Sequence, residues 1–65
     1  MTLNDFAKVW KSALTNTYIT DINGNNIFFD GNVHQLKKSD INMSMEILEI
    51  NLMDDCLYIS VNEEI

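Results

Sequence analysis

The chain has 65 residues and contains no proline, no arginine, only two glycines and a single cysteine, Cys56. One cysteine cannot form a disulfide within the chain, and it supplies too few thiolates for a structural zinc site. The two usual reinforcements of a very small domain are therefore excluded. We expect one domain over residues 1–65, stabilised by a single packed core or by formation of a homodimer.

Long hydrophobic segments are also absent. No stretch approaches the roughly 18 consecutive apolar residues of a membrane-spanning helix, and the first residues lack the basic and apolar regions of a signal peptide. Apolar residues nevertheless make up 46% of the chain and charged residues 22%, which is typical of a folded globular protein. We expect a protein that folds in the cytoplasm and does not bind membranes.

Charge is distributed unevenly along the chain. All four basic residues lie at or before Lys38, and that part carries a net charge of +1. The part from Ser39 onward carries −7, because it contains seven acidic residues and no basic one. Such an anionic region repels nucleic acid and attracts basic partners, so direct nucleic-acid binding is disfavoured.

The N-terminal segment has the pattern of an amphipathic helix. Thr2 and Asp5 form a near match to a capping box, in which the side chain at the helix start and the one three residues later bond each other's backbone amides. The apolar residues Leu3, Phe6 and Trp10 then recur at steps of three and four, which predicts a helix of about 13 residues.

A first β-hairpin is predicted around Asn23-Gly24, since this dipeptide is typical of two-residue turns. With that turn, Thr20 faces Ile27, Ile19 faces Phe28 and Tyr18 faces Phe29. Both faces of this hairpin are then apolar, so one face can take the helix. The other apolar face is predicted to be a self-association surface around Ile19 and Phe28.

The segment that follows has weaker signals. Asp30-Gly31-Asn32 is interpreted as a second turn, and residues 37–41 as one short helical turn.

A second hairpin is predicted around Asp54-Asp55. Alternation in the flanking segments places Leu52 opposite Leu57, Ile50 opposite Ile59 and Leu48 opposite Val61 on one apolar face. The other face is mostly polar and pairs Met53 with Cys56, Asn51 with Tyr58, Glu49 with Ser60 and Ile47 with Asn62. The resulting fold class is α+β, with an N-terminal amphipathic helix packed on an antiparallel sheet of two hairpins, about four strands, and one short extra helical turn.

Residues with catalytic or metal-binding potential are few. His34 is the only histidine, and nothing in the sequence fixes Asp30 or Asp40 beside it as general acid–base catalysis requires. Residues 21–32 depart from a calcium loop, since the glycine is fourth and the twelfth residue is Asn32. The acidic residues around Cys56 disfavour a reactive thiolate. We therefore predict no enzyme, no catalytic residue, no cofactor and no metal site.

The acidic C-terminal half provides the candidate functional surface. In the simplest interpretation, this half is a solvated surface that keeps a small protein soluble. Its functional interpretation is an anionic surface that binds a basic groove on another protein, such as a nuclease or other nucleic-acid-binding protein, in place of phosphates. The predicted partner-binding residues are Glu46, Glu49, Asn51, Asp54, Asp55, Tyr58, Glu63 and Glu64.

Asn and Ile are frequent, all four basic residues are Lys, and Arg and Pro are absent, a composition typical of AT-rich genomes. In this composition, its small size, its acidity and its lack of catalytic motifs, the chain resembles phage or mobile-element proteins of the anti-CRISPR type. The resemblance involves no specific motif and implies a non-enzymatic inhibitor of a host defence protein in a bacterial cell. The sequence leaves two alternatives: a self-assembling structural module, and a small enzyme or metal protein that uses His34.

Overall fold

The structure, a computed structural model, describes residues 1–62. Its elements are α1 (Leu3–Val9), β1 (Asn16–Asp21), β2 (Ile27–Asn32), α2 (Val33–Lys37), β3 (Glu46–Met53) and β4 (Cys56–Asn62). The strands form one sheet in the order β2-β1-β4-β3. The α+β class, the N-terminal helix and the two hairpins are confirmed. The sheet is mixed, because the hairpins join through β1 and β4, which run parallel.

Helix α1 begins with the predicted capping box. The Asp5 amide donates to Thr2 Oγ1 at 3.2 Å, and the Thr2 amide donates to Asp5 Oδ2 at 3.1 Å. The helix ends at Val9 and is therefore shorter than predicted. The following segment is held in another conformation by α2, since Ala13 and Thr15 accept backbone hydrogen bonds at 2.9 and 3.1 Å from the first two residues of α2.

The loop of the first hairpin is organised by the carboxylate of Asp21. Its Oδ1 accepts the amides of Asn23 and Asn25 at 3.1 and 2.9 Å, and its Oδ2 accepts from the Asn26 side chain at 3.0 Å. Gly24 has a φ of 75°, which suits glycine. Because β1 ends at Asp21 and β2 begins at Ile27, the loop is longer than the predicted two residues, Asn23-Gly24, and that prediction is wrong.

The register of this hairpin changes as a result. Thr20 pairs with Ile27 as predicted, but a bulge after Ile19 makes Phe29 the partner of Ile19. Tyr18 accordingly pairs with Asp30. The predicted pairs of Ile19 with Phe28 and of Tyr18 with Phe29 are wrong.

Strand β2 runs directly into α2. Residues 30–32 belong to the strand and do not form the predicted turn. Asn32 caps α2 through a second capping box, with Asn32 Oδ1 accepting the Gln35 amide at 2.8 Å and Gln35 Oε1 accepting the Asn32 amide at 3.0 Å. The short helix therefore lies at Val33–Lys37 and not at residues 37–41.

The second hairpin matches its predicted register near the turn. Asp54 and Asp55 have φ values of 51° and 62°, as a two-residue loop of the primed type requires. The predicted pairs from Met53 with Cys56 to Glu49 with Ser60 are all present. Beyond a bulge between Ile47 and Glu49, the partner of Val61 is Ile47, not Leu48, and that of Asn62 is Glu46, not Ile47.

Both helices cover the same face of the sheet. The core contains side chains from the helices, from β1 and β4, and from the segment before β3: Leu3, Phe6, Val33, Leu36, Ile19, Leu57, Ile59, Val61 and Met45. The apolar side of β3 lies at the margin of this core, with Leu48, Ile50 and Leu52 exposed by 49%, 41% and 62%. The predicted apolar face of the second hairpin is thus buried where it belongs to β4 and exposed where it belongs to β3.

Candidate functional site

The face of the sheet opposite the helices, called the open face here, presents one row of polar and aromatic side chains. Strand registers align Asp30 of β2, Tyr18 of β1, Tyr58 of β4 and Asn51 of β3. Their in-register neighbours Phe29, Ile19, Ile59 and Ile50 lie on the other side, because side chains alternate along a strand. At a strand spacing of about 4.8 Å, the row is about 14 Å long.

Two tyrosines form the centre of this row. The ring centroids of Tyr18 and Tyr58 are 6.0 Å apart, with an interplanar angle of 62° that gives an edge-to-face contact. Tyr58 is 39% exposed, while Tyr18 is half-buried. Electrostatic repulsion from Cys56, then partial desolvation of the phenol, raise the pKa of Tyr58. A tyrosine hydroxyl is protonated at neutral pH and can donate a hydrogen bond.

Carboxylates flank the tyrosines. Asp30 ends the row on β2. Glu49 lies on the same face near the other end of the row, on β3, where its Oε1 accepts a 2.7 Å hydrogen bond from Asn51 Nδ2. Asp54 and Asp55 extend the anionic surface at the tip of the β3–β4 hairpin, where both are exposed. The open face therefore combines two aromatic rings with carboxylates on both sides.

The predicted partner-binding residues are only partly brought together. Glu49, Asn51 and Tyr58 are neighbours on the open face, and Asp54 and Asp55 lie at its end. Glu46 lies at the other end of β3, where its carboxylate is 3.1 Å from the Met1 amino group. Glu63 and Glu64 lie outside the described residues.

The surface predicted for self-association is not formed as expected. Ile19 is fully buried in the core between the helices and the sheet. Phe28 is half-buried and also packs against that core. Ile19 therefore offers no side chain to a second molecule, because it lies on the face of the sheet that the helices cover. Self-association of the chain stays a prediction.

Sequence reasoning missed two members of the row, Tyr18 and Asp30. Tyr18 becomes a neighbour of Tyr58 only through the parallel pairing of β1 with β4, and no local signal in the sequence reports that pairing. Asp30 belongs to the segment that the sequence predicts as a turn. The only available signal was its position after Phe28-Phe29, which extends the strand.

The lysines lie away from the open face. Lys8 on α1 and Lys37 on α2 line a shallow groove in the helical layer together with Asn4, Ala7 and Met43. Lys11 and Lys38 follow the same two helices. Within residues 1–62, the four strands contain no lysine, whereas the helical layer holds Lys8 and Lys37 together with the carboxylate of Asp5 on α1.

His34 lies exposed on α2, on the helical side, whereas Asp30 lies on the open face. In the described part of the chain, no group of three or more His, Cys, Asp or Glu side chains is arranged to hold a metal ion.

Comparisons with protein-family models, curated proteins and solved structures found no match. Of the helices in the described range, neither is long and apolar enough to cross a bilayer.

Proposed function

We propose that this chain is a small, non-enzymatic protein-binding module whose open face engages a basic surface on a nucleic-acid-handling protein. In this proposal it acts as an inhibitor of the phage type, with carboxylates in the positions that phosphates occupy on the partner. The binding residues are Tyr18, Tyr58, Glu49 and Asn51, joined by the two aspartates of the hairpin tip.

The observation that supports the proposal is the tyrosine pair flanked by carboxylates. Tyrosine is enriched at the energetically important centres of protein interfaces, because it buries a large ring and retains one hydrogen bond. An arginine or lysine side chain placed over such a ring gains a cation–π contact, and a nearby carboxylate adds an ion pair. The open face offers both contacts within one row.

The position of the charges supports the same partner chemistry. The carboxylates of the open face and hairpin tip attract basic surfaces, and Lys8 and Lys37, which oppose this attraction, lie in the helical layer. Electrostatic complementarity of this kind increases the association rate and disfavours acidic partners, including nucleic acid itself.

The proposal is tested with a synthetic arginine-rich peptide as the probe, titrated calorimetrically at about 50 and about 500 mM NaCl, where screening differs strongly. The test variant is Glu49→Gln/Asp54→Asn/Asp55→Asn. Asparagine is chosen at the tip because it tolerates the positive φ that both aspartates adopt. Lysine there would add backbone strain to the change in charge.

We expect the triple variant to lose about tenfold in affinity for the peptide, or about 1.4 kcal/mol, and the wild-type affinity to fall as salt rises. The matched control is Asp40→Asn, an exposed acid in the α2–β3 connection. It should bind within about twofold of wild type. The site on the open face would be contradicted if the triple variant bound the peptide as tightly as wild type. It would also be contradicted if Asp40→Asn lost as much affinity per charge removed as the triple variant does.

A further inference from the structure

The outer edge of β3 is a further feature that residues 1–62 leave largely without a partner. In the described range, β3 ends the sheet, and only its beginning is covered. Thr2 forms a bridge with Glu46, and the Ile47 amide donates to the Met1 carbonyl at 2.7 Å. The edge from Glu49 to Met53 is left uncovered by residues 1–62.

The backbone along this edge is available for hydrogen bonding. The two-residue turn makes Met53 and Cys56 a hydrogen-bonded pair, and such pairs alternate along an antiparallel ladder. The N–H and C=O groups of Ile50 and Leu52 consequently point away from β4. Natural proteins protect such an edge with charged residues, above all lysine, with proline or with a β-bulge. The bulge of β3 precedes Glu49, and the segment from Glu49 to Met53 contains no lysine or proline and only one charged residue, Glu49.

The side chains on this edge are apolar on the side that faces the core. Ile50 and Leu52 are 41% and 62% exposed although they lie directly beside the buried Ile59 and Leu57. A strand added at this edge would extend both the hydrogen-bond ladder and the hydrophobic core.

We propose that the uncovered edge of β3 pairs with the β3 edge of a second copy of this chain, in an antiparallel arrangement with its two-fold axis at Asn51. In this register Asn51 faces Asn51 of the second copy, Ile50 faces Leu52, and Glu49 faces Met53. No carboxylate faces another carboxylate in the paired segment, which makes the strand complementary to itself.

Neighbouring registers are less favourable. An axis at Glu49 would place two carboxylates directly opposite each other, which destabilises a cross-strand pair. An axis at Ile50 would bring Met53 of the second copy against Ile47, whose amide is already bonded to Met1. The axis at Asn51 uses only the part of the edge that residues 1–62 do not cover.

The paired segment is short, so the dimer belongs to the weak class. A stable interface removes roughly 800 Å² from each partner, more than a five-residue strand edge provides alone. Each chain also carries a net charge of −6, so two copies repel each other. Salt screens this repulsion and should strengthen the dimer, whereas salt weakens binding of the arginine-rich peptide. The two proposals can therefore fail independently.

The first test is sedimentation velocity on wild type up to about 1 mM protein, at about 50 and about 500 mM NaCl. The apparent mass should rise towards that of a dimer with concentration, and more strongly at high salt. Leu52→Lys, which places an ammonium group in the shared apolar strip, should remain monomeric at all concentrations. Leu14→Lys is the matched control, since Leu14 is 81% exposed and lies outside the sheet. It should dimerise as wild type does.

The second test reports the register directly and uses Asn51→Cys in a Cys56→Ser background. In the proposed register the two copies of residue 51 lie directly opposite each other and share no hydrogen bond. The Cα atoms of such a pair are about 4.5 Å apart, within the range that a disulfide spans. Oxidation should therefore form covalent dimers much faster than in the same background with Leu14→Cys. A strict monomer at about 1 mM, undisturbed dimerisation of Leu52→Lys, or equal cross-linking rates for the two cysteine variants would each overturn the proposal. Protection of the Ile50 and Leu52 amides only when a different protein is added would also overturn it.

Discussion

Tyr18 and Tyr58 lie side by side on parallel strands, with their ring centroids 6.0 Å apart. The contact joins the first hairpin to the second on the side of the sheet that the helices leave open. Edge-to-face aromatic pairs contribute about 0.5–1.5 kcal/mol beyond the area they bury. The pair is therefore a structural link between the hairpins as well as the centre of the proposed binding face.

Tyr58→Ala should lower the affinity for the arginine-rich peptide about three- to tenfold, because it removes the more exposed ring of the pair. Calorimetric titration measures this change, and thermal unfolding checks that the variant remains folded. Tyr58→Phe keeps the ring and should retain most of the affinity. If Tyr58→Ala binds as well as wild type, the tyrosines do not contribute to the proposed site.

The capping box of α1 makes stability depend on pH. The hydrogen bond from the Thr2 backbone amide, followed by that involving the Thr2 side chain, lowers the pKa of Asp5 below 3.8 in the folded state. A depressed folded-state pKa contributes stability that is present above the unfolded value and is lost as pH falls through the folded one. The difference in free energy of unfolding between wild type and Asp5→Asn should therefore be larger at pH 7 than at about pH 2–3.

Urea titrations of both proteins at the two pH values measure this difference. Thr2→Ala, which removes the reciprocal cap, should lose about 1 kcal/mol at pH 7. A constant gap between wild type and Asp5→Asn across the acid range would show that the Asp5 carboxylate is not part of a pH-dependent cap.

Gly31→Ala should destabilise the protein by about 1 kcal/mol through the cap of α2. A Cβ at this position would lie 2.6 Å from Gln35 Oε1, the atom that accepts the Asn32 amide. The Gln35 side chain would have to move away from that amide. Urea unfolding should show that Gly31→Ala and Gln35→Ala are less than additive, because both disrupt the same hydrogen bond.

Gly24→Ala is the matched control for Gly31→Ala. A Cβ at Gly24 meets no atom within 4 Å, but φ is 75°, so the cost there is backbone strain. Its effect should add fully to that of Gln35→Ala. Full additivity of Gly31→Ala with Gln35→Ala would contradict the proposed steric mechanism.

Trp10→Phe should cost less than about 1 kcal/mol, whereas Trp10→Ala should cost about 3 kcal/mol. The Trp10 ring stacks on Phe6 with centroids 5.6 Å apart, and phenylalanine can keep that contact. The indole Nε1 is buried and finds no hydrogen-bond partner within the described residues. Removing this N–H eliminates a desolvated donor and offsets part of the lost area. A loss from Trp10→Phe as large as that from Trp10→Ala would indicate that the N–H is satisfied in solution.

The parts of the fold predicted correctly depend on local chemistry. The Thr2–Asp5 cap and the Asp54-Asp55 turn each involve residues within a few positions of each other, and their geometry follows from residue type. The register from Glu49 to Met53 follows from that turn and from strict alternation. The same alternation failed at the bulge near Leu48, where one extra residue shifts the pairing.

The parts predicted wrongly depend on distant contacts or on side chains that replace backbone interactions. The Asp21 carboxylate reorganised the first loop, although Asn23-Gly24 alone indicates a shorter one. For the candidate site, sequence patterns placed Glu49, Asn51 and Tyr58 on one face but could not place Tyr18 among them. That neighbour relation exists only after the two hairpins dock.

The parallel seam between β1 and β4 also determines how this chain can fold. Each hairpin closes a short loop and can form within microseconds, whereas the seam joins residues about 40 positions apart, from Asn16 with Cys56 to Asp21 with Val61. Docking of the hairpins should therefore limit the folding rate. Because Ile19 and Ile59 become buried only when they meet across this seam, a chain cut in the α2–β3 connection would yield two fragments that acquire native structure together, in a second-order reaction.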